Sequence, residues 1–164
     1  MNSKEAIKAV LKSTQDMLNW YVSDLGDADF LVRPVPNANH IAWHIGHLTA
    51  FENGLLASVL PHAVAVEAPA GFKEKHSSKA ASSDNPKDFL SRMEYVTLFN
   101  KVREGTTAAV DKMSDSDCEK ASPADMVQWA PTLNDLLLQT AIHTMMHVGQ
   151  FTVIRRKLGK PILF

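Results

Sequence analysis

A single cysteine, Cys118, among 164 residues excludes an internal disulfide framework. It lies in Ser114-Asp115-Ser116-Asp117-Cys118-Glu119, where neighbouring negative charge disfavours the thiolate and makes it a poor nucleophile. No apolar run approaches membrane-spanning length, so no membrane partner is expected. The start, Met1-Asn2-Ser3-Lys4-Glu5, leads into an amphipathic pattern and does not resemble a signal peptide. Lys and Arg number 17 against 18 Asp and Glu, and the net charge of -1 supplies no basic field for nucleic acid. Sustained period-two alternation and internal repeats are also missing. These absences point to a cytoplasmic protein built from helices.

Hydrophobic residues make up 45% of the chain, enough for one domain, 1–164, with a full core. Four helical patterns are legible. In the first, from about Ser3 to Leu25, Ile7, Val10, Leu11, Thr14, Met17, Leu18 and Tyr21 form one stripe. Arg33-Pro34-Val35-Pro36-Asn37 then breaks the helix. The second starts at Asn37 or Asn39, either of which can cap it, and runs to about Leu60. Residues 61–85 form a weakly patterned connection, long enough to suggest a lid, in which His62 and His76 read as solvated loop histidines.

The third pattern opens at Asn85-Pro86, as cap and first helical residue, and continues to about Met113 with Phe89, Met93, Val96, Phe99 and Val102 on its apolar side. The fourth opens at Thr132, with Asp135 completing a capping box, and runs to Leu158 before Gly159-Lys160-Pro161. Arg155, Arg156 and Lys157 in its last turn suit the negative end of the helix dipole. Four amphipathic helices of similar length predict an all-α four-helix bundle.

The chemistry concentrates in histidines. His143 and His147, four residues apart, face one way on the fourth helix. They share a largely apolar face with Leu136, Thr140, Gln150 and Ile154. His40, His44 and His47 form a stripe on the second helix, with Phe51 one turn on. Burying several imidazoles without a common partner costs desolvation energy repeatedly. One divalent cation accepting several lone pairs removes that cost. His-Glu-x-x-His and Glu-x-x-His are both absent, which excludes the usual zinc-protease base and the carboxylate-bridged di-iron centre. Glu52, five residues past His47, lies well round the helix and is a poor fourth ligand. Three neutral histidines without a carboxylate leave an ion its charge and open positions, as in a catalytic site, and suit Zn or Ni better than Mg or Ca. Spacing does not choose among His40, His44 and His47.

The segment His44-Ile45-Gly46-His47-Leu48-Thr49-Ala50-Phe51-Glu52, with His143-Thr144-Met145-Met146-His147-Val148-Gly149-Gln150 and the trailing Arg155-Arg156-Lys157-Leu158-Gly159-Lys160-Pro161, resembles the DinB/YfiT-like family of metal-dependent enzymes. The resemblance implies a four-helix bundle with an up-down-down-up course, a homodimer, and one metal held by His47, His143 and His147. His44 then becomes a pocket wall, a hydrogen-bond partner of a ligand or an extra ligand, and Gln150 orients a ligand or serves helix packing. Relatives include thiol-dependent S-transferases and a mycothiol-dependent isomerase.

A metal-dependent enzyme acting on a small molecule is therefore expected, using a low-molecular-weight thiol or water as nucleophile. Trp43, Phe51 and Trp129 are candidate pocket walls. The alternatives are a non-enzymatic, metal-stabilised dimeric stress-response or binding module, and a helical interaction protein with histidines in its core.

Overall fold

The computed structural model describes residues 2–163. Four long helices carry it: α1 (Ser3–Val22), α2 (Ile41–Ser58), α3 (Arg92–Lys112) and α4 (Leu133–Lys157). No strand forms among the described residues, so the expected all-α bundle is the fold.

Local chemistry sets the ends of each helix. Asn2 with Glu5, Ser91 with Glu94 and Thr132 with Asp135 form reciprocal capping boxes on α1, α3 and α4. At the far end of α4, Gly159 has φ +66, a conformation in which a Cβ would be strained. The amide of Lys160 reaches the Arg155 carbonyl, and that of Gly159 the Arg156 carbonyl, closing the helix.

Two helix starts differ from the sequence reading, and α1 ends at Val22, three residues before Leu25. The cap of α2 is His40, neither Asn37 nor Asn39: its Nδ1 accepts the Trp43 amide at 3.0 Å. Asn85 caps only a single 3₁₀ turn, Pro86–Asp88. Phe89 is then extended, which lays its ring 4.5 Å from that of His40, and α3 starts afresh at the stronger Ser91–Glu94 cap. Met93, placed on the apolar side in the sequence reading, is consequently 75% exposed.

Each of α1 and α2 packs against both α3 and α4, so α1 lies diagonal to α2 and α3 diagonal to α4, while the consecutive pair α2 and α3 are neighbours. Lys4 reaches the Met113 carbonyl and Gln15 reaches Asn100, making α1 and α3 antiparallel. Arg155 donates to the Tyr21 carbonyl, while Ile7 and Leu11 pack with Leu133 to Ala141, making α1 and α4 parallel. His44 meets His147, so α2 opposes α4. The course is up-down-down-up.

The core has two parts. One gathers Leu18, Ile45, Tyr95, Phe99 and Phe151, the other Leu11, Leu56, Val110, Leu133 and Leu137. A polar cluster built on Arg103, which is fully buried, ties the helices together. Arg103 donates to both oxygens of Glu52 at 2.8–3.1 Å, to Thr14 and the Leu11 carbonyl, and to Thr144. One guanidinium thus joins all four helices.

In the connection after α2, which is exposed over most of its length, His76 is not the solvated loop histidine expected. The chain turns through a short helix, Phe72–Lys75, that buries Phe72, and places His76 at 2% exposure. His76 Nδ1 donates to the Phe72 carbonyl at 2.7 Å, leaving Nε2 to accept from the Tyr95 hydroxyl at 2.7 Å. The ring lies against Gly46, where a Cβ would fall 2.0 Å from its Cδ2. His62, by contrast, is exposed as expected.

That contact makes Gly46 costly to replace. Alanine is the better helix former, yet a ring bonded at both nitrogens cannot yield. Gly46→Ala is expected to lower the unfolding free energy by about 1–3 kcal/mol in denaturant titration; unchanged or raised stability would show that His76 is free to move away.

Candidate metal centre

Antiparallel neighbours bring one turn of α2 opposite one turn of α4. The structure thereby separates the three histidines that spacing left equivalent. His40 caps the helix and does not join the cluster. His44 lies behind His147, with Nδ1 2.6 Å from His147 Nδ1. His47 comes together with His143 and His147, one ring nitrogen from each lying within 4.8 Å of the others. The His143 and His147 Nε2 atoms are 3.0 Å apart.

Hydrogen bonding sets which nitrogens face inward. A carbonyl only accepts, so His47 Nδ1, 3.1 Å from the His76 carbonyl, carries the proton and Nε2 keeps its lone pair. On His147, Nε2 faces His143 and Nδ1 faces His44. In the tautomer whose Nδ1–H donates to His44 Nδ1, His147 also presents its Nε2 lone pair toward His143. Metal-binding imidazoles commonly rely on a carbonyl or carboxylate in this way; here a carbonyl and a fourth imidazole take that place.

The electrostatics favour neutral rings. Burial, assisted by repulsion among the rings, pushes His44 and His143 down to about 4 and His147 down to about 3. Burial also lowers His40 and His76. At neutral pH the lone pairs of His143 and His147 are therefore available, and together with His47 they make a three-nitrogen set that fits a borderline divalent ion such as Zn or Ni. Glu52 offers no competing ligand atom, because both its oxygens accept from Arg103.

Trp43 backs the centre. Its ring stacks on His47 at 4.8 Å and 7°, and its indole N–H donates to the Ser77 carbonyl at 3.2 Å. The segment after α2 thus touches both, through the His76 and Ser77 carbonyls. On the open side is a cavity of about 370 Å³ lined by His47, His143, Phe51, Trp129, Ile142, Met146 and Gln139. His44, Trp43 and Gln150 do not line it, and Gln150 is exposed on α4.

Two contributors escaped the sequence reading. Gln139, the only polar side chain of the cavity besides its histidines, stands four residues before His143, a spacing that could have revealed it. His76 left a subtler trace in Gly46, a helix-interior glycine that exacts a conformational cost. Cys118 is 5% exposed, and burial raises its thiol pKa, with Asp115, Asp117 and Glu119 adding to the shift.

The sequence model of the DinB superfamily matches residues 11–151. A search of curated proteins finds no match. Among solved structures, a conserved protein from Enterococcus faecalis superposes with a TM-score of 0.70 at 16% identity, covering 98% of this chain and 99% of the other. YfiT from Bacillus subtilis superposes with a TM-score of 0.63 at 16% identity, covering 96% and 89%, and is described as a probable metal-dependent hydrolase with an unusual four-helix bundle topology. At that identity the likeness establishes the shared fold.

The lowered imidazole pKa values carry a signed consequence. An unfolded histidine takes a proton near 6.5, whereas the native His44, His143 and His147 resist it until about 3–4. In chelator-treated protein their contribution to stability is complete above pH 6.5. It falls as the pH drops from 6.5 toward 4, by at most about 1.4 kcal/mol per pH unit for each ring. Urea titrations at pH 7.5, 6 and 5 check this; a midpoint that does not fall across that interval would contradict the neutral, buried assignment.

Proposed function

Because this chain belongs to the DinB superfamily, we propose that it is a metal-dependent enzyme whose ion is held by His47, His143 and His147. The observation that carries the reading is the convergence of three imidazoles, two of which, His47 and His143, line an apolar cavity. A divalent ion bound there supplies Lewis acidity, which acidifies a thiol or water and polarises a substrate atom.

The chain's own residues do the rest. The His76 carbonyl and His44 orient two of the ligands. Phe51, Trp129, Ile142 and Met146 give one side an apolar wall, and the Gln139 amide can hydrogen-bond a substrate. No carboxylate lines the cavity to serve as a base. That favours a nucleophile that the ion alone can deprotonate, and a free thiol, with pKa near about 8.5, needs far less help than water. Thiol-dependent transfer is accordingly the first reaction class. Hydrolysis is the second, supported by the description of the Bacillus subtilis YfiT structure.

A non-enzymatic, dimeric metal-binding module is the other reading. Ile142, Met145, Met146 and Val153, all exposed on α4, support pairing with a second copy.

Purified protein should hold close to one equivalent of zinc or nickel by elemental analysis. His147→Ala should lose it while keeping the helical circular-dichroism signal. Loaded protein should accelerate consumption of a generic electrophile by a panel of small thiols, or hydrolysis of an activated ester. Full metal retention in the folded variant would defeat the ligand assignment. Stoichiometric metal that raises thermal stability without turnover would favour the non-enzymatic module.

A further inference from the structure

The cavity beside the histidines is specific in what it lacks. None of its lining side chains carries a formal charge. Its walls are Phe51, Trp129, Ile142 and Met146, with Gln139 as the single neutral amide. The carboxylate closest to the ligands in sequence, Glu52, is neutralised by Arg103 and 1% exposed. Three neutral imidazoles would therefore leave a bound divalent ion's charge uncompensated at one end of an apolar chamber. An anionic head is attracted there, and a cation is repelled. A second charge on the ligand would have to shed its water against apolar walls with nothing to meet it. The volume, about 370 Å³, lies at the low end of ligand pockets and suits a body near the size of a phenyl ring.

Resting on the metal reading above, we propose that this site selects small monoanions: one thiolate or carboxylate head at the metal end and a compact apolar body against Phe51, Trp129, Ile142 and Met146. The head gives orientation and the apolar wall gives selectivity. Polar or multiply charged molecules of the same size are excluded by desolvation. Trp129, 45% exposed in the segment before α4, forms part of the wall without supporting the core, so it is a specificity residue that can be removed without disturbing the bundle.

Isothermal calorimetry on zinc-loaded protein tests this with probes that separate head from body. 3-Phenylpropanoate and 2-phenylethanethiol share a body and differ in head. Acetate keeps the charge without the body, and 3-phenylpropanamide keeps the body without the charge. Phenylpropanoate or phenylethanethiol is expected to bind at least about tenfold tighter than both acetate and the amide, and the tighter of the two identifies the preferred head. Trp129→Ala should narrow the phenylpropanoate-to-acetate ratio severalfold with zinc stoichiometry unchanged.

Amide binding equal to that of both anions would overturn the charge argument. Acetate binding as tightly as phenylpropanoate would overturn the apolar one. Either result with one equivalent of zinc in place defeats this inference alone. Protein that takes up no zinc defeats the metal reading and this inference together.

Discussion

Arg103 sits where the four helices come closest to sharing a single side chain. Its guanidinium meets Glu52 on α2, Thr14 and the Leu11 carbonyl on α1, and Thr144 on α4. A buried ion pair is weak evidence of stability, because desolvation offsets much of its attraction. Its value here is positional. Glu52 follows His47 by five residues, and Thr144 lies between His143 and His147. A guanidinium that accepts only planar, directed partners fixes the rotation of both helices about their axes. With α2 and α4 held so, α2 cannot roll and carry His47 away from the α4 pair without breaking hydrogen bonds at the centre of the bundle.

The same economy governs the imidazoles. The centre has no carboxylate to steer its ligands, so orientation comes from a backbone carbonyl and from another histidine. His76 links the two sides of this arrangement. Its ring occupies the notch left by Gly46 and bonds Tyr95, while its carbonyl accepts a hydrogen bond from His47 Nδ1. The segment between α2 and α3 thus backs the histidines from behind, tied to α2 and α3 by His76 and to Trp43 by Ser77. The cavity opens on the other side, beside Trp129 and the exposed edge of α4. Access is from that side.

Much of this was legible in the residues, and the exceptions have physical causes. The Thr132–Asp135 box, the stop at Gly159 and most of the stripe of α1 are determined within a few residues, although Val10 of that stripe is 39% exposed. The grouping of His47 with His143 and His147 was legible too, though only through a family resemblance, since helical spacing alone left His40 and His44 as open as His47. What failed depended on distant partners. Asn85-Pro86 carries a genuine cap, but burying Phe89 against His40 requires an extended residue there, and tertiary packing outweighed the local signal. His76 lies in a stretch of low hydrophobicity, and its burial is created by Gly46 and Tyr95, 30 residues before and 19 after it. Its neighbours in sequence give no hint. His40 looked like part of a ligand stripe because its spacing fits; its role as a cap depends on an extended backbone that periodicity does not report.

The central claim is that three imidazoles from two helices converge on one cation. X-ray absorption at the zinc edge of loaded protein tests it most directly. The structure predicts a first shell containing three imidazole nitrogens at about 2.0–2.1 Å, with the outer-ring scattering that imidazole produces. It also predicts that the imidazole count falls to two in His47→Ala. A shell dominated by carboxylate oxygen or by sulfur, or an imidazole count unaffected by that substitution, would contradict the account.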